Sequence, residues 1–478
     1  MKKLLLLYIL ASTLISCKEI RYNTPPSDSY NLTIFFVNDH HGQLENFSKI
    51  KYIVDQAEQE TNVIVASAGD MFSGNPVVDQ YPEKGYPMID LMNKVGFDIS
   101  VIGNHEFDYG EQELMERMED SEFHWICANV DMSSSVIPEP LEYVTISIDS
   151  LDVTFLGLIE TGGKPGEIIP ATHPLKIENI LFEKAENVIS KYKNIKEQQE
   201  ADLYIALTHL GQSGSGTFLS DFQLAEQMPE LDLIIGGHSH RKIDTVINNV
   251  PVFSAISYLN YLGKIELEVK NKEVKSFEFE LIDLNAYPDF DAETKTLIDN
   301  YNNEMAIVLD EVIGNSLQYH PKNAVGCFYT DAIQGRLSVD ASFQNTGGVR
   351  NSLDEGEITK REVYEFDPFM NGTVIYNMSV SDIKNFLIGT GSGFYYAGIQ
   401  LEQVDSEIVV KDTNGNILED NTNLTIGIND YIPAVHDAYF PVNGDIQPFT
   451  TAEAIIYYLQ TINDQVNYPE ANCYFRYQ

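Results

Sequence analysis

Residues 32–42 read Leu-Thr-Ile-Phe-Phe-Val-Asn-Asp-His-His-Gly, a nearly unbroken apolar run that stops abruptly at Asp, two His and a Gly. The pattern recurs along the first half of the chain. Val63–Ala68 is followed by Gly69-Asp70, and Ile99–Ile102 by Gly103-Asn104-His105-Glu106 and then Asp108. Leu203–Thr208 is followed by His209, and Leu233–Ile235 by Gly236-Gly237-His238-Ser239-His240, with Val153–Ile159 a further apolar run. Continuous apolar runs of this length predict strands buried on both faces, since a half-solvated strand would alternate. Helix-like spacing over Phe47–Glu60, Tyr86–Val95 and Ile177–Gln199 separates them, so β and α elements alternate as in a layered α/β domain. Lys264–Lys270 and Phe277–Ile282 do alternate, which predicts strands with one wet face.

In open α/β sheets ligands gather at the carboxyl ends of the strands, so the five loops should converge. Convergence would bring Asp39, His41, Asp70, Asn104, His209, His238 and His240 into one cleft. Seven oxygen and nitrogen donors are too many for one tetrahedral ion and suit two ions bridged by a carboxylate. In Asp39-x-His41 and His238-x-His240, an extended backbone would put both side chains of each pair on one side.

The 478 residues suggest two or three domains. Against 30 Lys and Arg stand 72 Asp and Glu, a net charge of −42, which repels nucleic-acid polymers and anionic lipid. Lys2 and Lys3 precede an apolar run, Leu4–Ile15, of signal-peptide length. It ends in Leu14-Ile15-Ser16-Cys17, which resembles a bacterial lipobox and implies cleavage before Cys17 and a lipid on its thiol. Residues 17–30 read as a polar tether. The remaining Cys127, Cys327 and Cys473 are odd in number and lack a CxxC pair, so buried free thiols are expected rather than a disulfide framework. Residues 31–284 form the first predicted domain, 285–310 a linker helix, and 311–478 an α+β unit. In that unit Val325–Leu337 and Thr451–Ile462 read as helices, and Ser379 with Asp382 forms a capping box opening a helix to Gly389. Ile399–Val404, Ile408–Lys411 and Leu424–Ile428 read as strands. Gly162-Gly163-Lys164 lacks the spacing of a phosphate-binding loop.

Asn38-Asp39-x-His41-Gly42, Gly69-Asp70-x-x-x-Gly74, Gly103-Asn104-His105-Glu106, Thr208-His209 and Gly237-His238-Ser239-His240 together resemble the calcineurin-like metallophosphoesterase signature. The opening motif and the length are similar to the bacterial branch of 5′-nucleotidases, UDP-sugar hydrolases and 2′,3′-cyclic-nucleotide phosphodiesterases. The resemblance implies a layered β-sandwich flanked by helices, followed by a smaller α+β substrate-binding domain. It assigns one divalent metal (Zn²⁺, Mn²⁺ or Fe) to Asp39, His41, bridging Asp70 and His240, and a second to Asp70, Asn104, His209 and His238. It places His105, held by Asp108, beside the phosphoryl group. In the second half, Asn345-Thr346-Gly347-Gly348-Val349-Arg350 resembles the motif that contacts an anionic substrate, and Pro368-Phe369-Met370-Asn371 a Pro-Phe-x-Asn segment. Phe394 and Tyr431 match two aromatics that sandwich a nucleobase, and Asp437 a sugar contact. Two departures bear on selectivity: Val435-His436-Asp437-Ala438 replaces a glycine-rich loop, and His320 and Lys322 stand where an Arg is usual.

The resulting expectation is an exported, lipid-anchored phosphohydrolase, facing the periplasm or cell surface, acting on nucleoside 5′-monophosphates and also on 2′,3′-cyclic nucleotides or UDP-sugars. Its partner is a small nucleotide, not a polymer. The rivals are a hydrolase of a non-nucleotide ester, as in the thiosulfate-ester branch, and a nucleotide-binding surface lipoprotein without turnover. Cys17→Ala should block lipid attachment, so fractionation of the native host should find the variant released from membranes. Unchanged cleavage with membrane release equal to wild type would contradict lipidation.

Overall fold

The computed structural model describes residues 29–212, 218–462 and 465–478. Cys17, the predicted signal and most of the predicted tether lie outside them. Strand β1 (Ser29–Val37) starts within the stretch read as tether, because Ser29 and Tyr30 pair with Lys270 and Val269.

Two six-stranded sheets form the first half. β1, β2 (Asn62–Ser67), β3 (Ile99–Val101) and β4 (His124–Ile126) run parallel. The second sheet contains β5 (Tyr143–Ile148), β6 (Leu151–Ile159), β7 (Leu203–His209), β8 (Leu233–Gly236), β9 (Lys242–Ile247) and β10 (Val250–Ala255), with β6, β7, β8 and β10 parallel. β11 (Tyr261–Lys270) pairs antiparallel with β1, and β12 (Glu273–Asp283) pairs antiparallel with β11 and forms that edge of the first sheet.

The unbroken apolar runs follow from the layering. Ile34 and Phe36 of β1 face Phe155, Ile205 and Phe253 between the sheets, while Phe35 and Val37 face outward into a helical layer. That layer holds α1 (Phe47–Ala57), α2 (Tyr86–Val95) and α3 (Ala292–Leu309). Leu32–Val37 is therefore buried whichever way its side chains point, and each fully buried aliphatic or aromatic side chain contributes about 1.5–3 kcal/mol.

Ile177–Gln199 is not one helix. Its residues form a short strand, Leu181–Phe182, and short turns of helix at Ala185–Val188, Ile189–Lys191 and Ile195–Gln198. Ile177, Ile180 and Phe182 pack under the first sheet's helices, whereas Ala185, Val188, Ile189 and Tyr192 pack on the outer face of the second sheet. A straight helix cannot serve two cores on different sheets.

The second half wraps α4 (Lys322–Leu337) and α6 (Thr451–Thr461) on one face of a sheet and α5 (Val380–Thr390) on the other. The sheet contains β13 (Ala341–Asn345), β14 (Gly372–Ser379), β15 (Gly393–Ala397), β16 (Asn423–Asn429), β17 (Asp445–Thr450) and β18 (Tyr474–Arg476). α5 opens on the expected capping box: Ser379 Oγ accepts from the Asp382 amide at 3.1 Å. Contrary to the expectation of free thiols, Cys327 and Cys473 form a disulfide that ties α4 to the C-terminal segment across 146 residues of sequence. Spacing gave no sign of it, because only the fold brings the two together. Cys127 is a buried free thiol, as expected. Among the described residues no helix is long and apolar enough to cross a membrane.

Asp367 is fully enclosed between α4 and α6, accepting from Thr451 Oγ1 at 2.5 Å and Tyr329 OH at 3.2 Å. Burial nonetheless pushes its carboxyl from the ordinary 3.8 up to about 7. A raised carboxyl stabilises the fold below its unfolded value and loses that stability as pH climbs from about 4 to 7. Asp367→Asn should therefore raise Tm more at pH 8 than at pH 4 in thermal melts. An equal shift at both values would contradict the assignment.

Candidate metal centre and catalytic cleft

The loops that follow β1, β2, β3, β7 and β8 meet at one end of the sandwich. They are laced together by main-chain bonds: the Asp39 amide donates to Gly69 O at 2.9 Å and the His41 amide to Asp70 O at 3.1 Å. The glycines are required by crowding. A side chain at Gly69, whose φ is +83°, would lie 2.9 Å from His209 Nδ1. The ligand pairs do not use extended backbone. Asp39, His41, Asp70, His238 and His240 all have positive φ, between 49° and 70°. The pairs share a direction because each residue is turned into the left-handed region, not because a strand alternates.

All seven predicted donors are brought together. Asp39, His41 and His240 form one cluster, and Asp70, His209 and His238 another, with the donor atoms of each within 4.8 Å of one another. His240 Nε2 lies 3.2 Å from Asp39 Oδ1, and 2.9 Å from His41 Nε2. Asn104 Oδ1 lies 3.0 Å from His238 Nδ1, oriented by its own amide donating to Ala171 O at 3.1 Å. Asp70 is common to two of the three such clusters among the described residues, the other being with His41 and His105. The outer nitrogens are already committed. His209 Nδ1 donates to Ala68 O at 2.7 Å and His41 Nδ1 faces Ser73 O at 3.0 Å, which leaves each Nε2 turned inward. His209 Nε2 is buried without an aligned hydrogen bond, although Asp70 Oδ2 is 3.0 Å away. An inward, unsatisfied imidazole nitrogen among carboxylate and amide oxygens fits a borderline divalent ion such as Zn²⁺, Mn²⁺ or Fe²⁺. Burial works against charge on His209, but Asp70 and Asp39 outweigh it and push its pKa up to about 10.

Glu106 pins the loops from behind. Its carboxylate accepts from the amides of Gly103, of Asp70 at 3.1 Å and of Met71 at 2.6 Å. Beside it, His105 Nδ1 meets Asp108 Oδ2 at 2.6 Å, and Thr172 Oγ1 donates to the other Asp108 oxygen at 3.1 Å. Burial lowers the pKa of His105, yet Asp108 and Asp70 overcome it and hold it at about 9. With Nδ1 committed to Asp108, Nε2 is the ring nitrogen left for proton transfer.

A cleft of about 490 Å³ opens between this centre and the second half. The predicted Asn345, Gly347, Gly348, Arg350 and Tyr431 line it, with Phe369 and Asn371. Phe369 stacks on the His105 ring (centroids 5.8 Å, 19° between planes), and the Arg350 guanidinium lies 5.5 Å from the Phe369 centroid. Tyr431 meets His173 edge to face at 5.8 Å, and His173 Nε2 faces Asp430 Oδ1 at 3.1 Å.

Residues 32–242 match the calcineurin-like phosphoesterase family, and residues 307–442 match the 5′-nucleotidase C-terminal domain. The first half thus carries a calcineurin-like phosphoesterase domain, and the second a 5′-nucleotidase C-terminal domain. It is 27% identical over 493 residues to the trifunctional nucleotide phosphoesterase protein YfkN of Bacillus subtilis (strain 168), covering 87% of this chain and 32% of that one. It is 25% identical over 458 residues to a 5′-nucleotidase of Vibrio cholerae serotype O1, covering 80% of each. The chain spans well under half of two B. subtilis relatives, 32% of YfkN and 41% of the endonuclease YhcR. The same fold is seen in a 5′-nucleotidase precursor of Thermus thermophilus, with TM-score 0.76, 21% identity, and 90% and 96% of the two chains covered. It is seen again in a Thermus sulfate thiohydrolase, SoxB, with TM-score 0.71, 13% identity, and 94% and 97% covered.

Two predicted substrate residues are elsewhere. Phe394 is fully buried and packs on Phe386 at 4.7 Å, so it offers no face to a base. In β15 alternate residues face opposite layers: Phe394 faces α5's layer and Tyr395 faces α4's. Asp437 is outside the cleft lining and pairs with Lys164 at 3.0 Å, which also gives the discarded Gly-Gly-Lys stretch a structural role. His320 is a buried support, its Nδ1 on Ser316 Oγ at 2.9 Å and its Nε2 accepting from the Tyr468 amide at 2.9 Å. Lys322 is outside the cleft lining, and burial and then the charge of Arg350 lower its pKa. Sequence reasoning missed Thr172, His173 and Lys176, which immediately precede the stretch misread as a helix. It quoted Phe369 without giving it a role. Proline at 174 just after Thr-His was the available signal for a turn.

Asp70→Ala should lower bound metal and phosphate release together, by elemental analysis beside kinetics. His105→Ala should keep metal and lower turnover by about 10²–10⁴-fold. Full metal retention in the Asp70 variant would contradict its place at the centre of the clusters.

Proposed function

We propose that this phosphoesterase releases phosphate from nucleoside 5′-monophosphates, using two divalent metals, and accepts 2′,3′-cyclic nucleotides or UDP-sugars as further substrates. The observation that carries the reading is one cleft with two donor clusters on one wall and Arg350 and Tyr431 on the other. Asp39, His41, Asp70 and His240 would hold one ion, and Asp70, Asn104, His209 and His238 the second. Such a pair polarises a phosphoryl group and lowers the pKa of an attacking water. The protein's own groups do the rest. His105 gives a hydrogen bond or its Nε2 proton to the oxygen gaining charge, and Asp108 fixes the ring for that transfer. Arg350 neutralises the anionic part of the substrate, and Tyr431 presents a face to the base.

Export with a lipid on Cys17 belongs to the same reading. It is supported by the Leu14–Cys17 motif and by the Cys327–Cys473 disulfide, a bond that persists in oxidising compartments.

A second reading, the non-nucleotide ester, is favoured by one observation: burial of Phe394 leaves only Tyr431 of the expected base-stacking pair in the cleft lining. The two are separated by kcat/KM for AMP, CMP and a small aryl phosphate. Tyr431→Ala should weaken AMP hydrolysis by about 1–3 kcal/mol, roughly five- to 150-fold, while sparing the aryl phosphate. Equal losses on all three substrates would favour the non-nucleotide ester. Phe394→Ala should instead cost about 3–5 kcal/mol of stability.

A further inference from the structure

Lys176 has no part in the chemistry so far, yet it occupies the seam between the two halves. It closes the Pro174–Lys176 turn, which His173 starts by accepting from the Leu175 amide at 3.3 Å. Its ammonium donates to two main-chain carbonyls, Asp108 O in the metal-bearing half and Phe369 O, at 3.2 Å, in the substrate half. Burial lowers its pKa from the ordinary lysine value, against the pull of Asp108 and Asp430. A long, flexible cation spends rotamer freedom and hydration to sit there, and both partners it holds lie against one ring. Asp108 grips His105 through Nδ1, and Phe369 covers the face of the same imidazole.

We propose that Lys176 is a positioning residue, one ammonium clamping the Asp108 loop to the Phe369 segment so that His105 is held at its edge and its face together. The inference rests on His105 acting in phosphoryl transfer, as proposed above. His105 needs both supports, because Asp108 sets the ring's azimuth and Phe369 sets its tilt. Without the clamp each support remains, but the distance between them is free to drift. A misplacement of about 1 Å is enough to cost on the order of 10²-fold in rate.

The test compares Lys176→Met, Lys176→Arg and wild type on AMP and on an aryl phosphate, with metal content and circular dichroism measured alongside. Lys176→Met should lower kcat about 10- to 100-fold on both substrates, with KM within about twofold and metal unchanged. Lys176→Arg, which can still reach two carbonyls, should recover most of the loss. In a His105→Ala background Lys176→Met should cost less than about twofold further, since the group it positions is gone. A KM rise with kcat retained would mean that Lys176 contacts substrate directly. A fall in Tm with kcat unchanged would mean that it only stabilises the fold. Multiplicative losses in the double variant would mean that it acts independently of His105. Each of these three outcomes overturns the proposal. If Lys176→Met does not fold, Lys176→Gln, which keeps one donor, is scored by the same criteria. Failure of wild type on AMP would refute the nucleotide reading alone, because the aryl phosphate still scores Lys176.

Discussion

Five side chains that face one another at the ends of two sheets carry backbone φ between 49° and 70°, and none of them is glycine. Each such residue costs on the order of 1–2 kcal/mol relative to right-handed backbone. Clustered at Asp39, His41, Asp70, His238 and His240, that strain must be over-determined by its surroundings to persist. Glu106 is a large part of what holds it: one buried carboxylate gathers three amides from the second and third loops, Gly103, Asp70 and Met71. Removal from water drives its pKa up to about 7, which shows how far it has been desolvated to serve as an anchor. The two-sheet core beneath fixes where the loops begin, and the anchor fixes where they point.

The chain is strongly acidic overall, whereas its cleft mixes both signs of charge. A net −42 repels every phosphate at long range. Within the cleft, Arg350 stands opposite Asp70 and Asp108, so both signs of charge lie within a few ångströms. An anion entering there is met by Arg350 rather than drawn in by the whole surface.

The strands of the first half were legible because residues such as Ile34 and Phe35 are buried on opposite faces, which leaves an unbroken apolar run in the chain. The ligands were legible because each follows such a run, and strand ends are where an α/β layer exposes polar groups. Other features were hidden because tertiary context decided them. The stretch 177–199 has helical spacing, but its apolar residues divide between two cores. Phe394 matched a motif, yet in β15 a shift of one residue decides between a core face and the opposite layer. Cys327 and Cys473 carry no local mark of their partnership. The left-handed ligands were masked because Asp and His tolerate that region without announcing it, unlike the glycines beside them.

Helix α3 lies in the stretch read as a linker, but its buried face belongs to the metal-bearing half. Ile298, Tyr301, Met305 and Leu309 join the core built on α1 and α2, and Tyr301 OH donates to Asp90 Oδ2 at 2.6 Å. Its first turn is anchored as well, the Asp291 amide donating to Ser48 O at 2.8 Å. A fragment ending at residue 284 would leave α1 and α2 with an uncovered apolar trough where this helix sits, an adhesive stripe that invites self-association in water. The seam at which the two halves can be severed cleanly falls after Leu309, just before the strand Val312–Ser316 pairs into the second half.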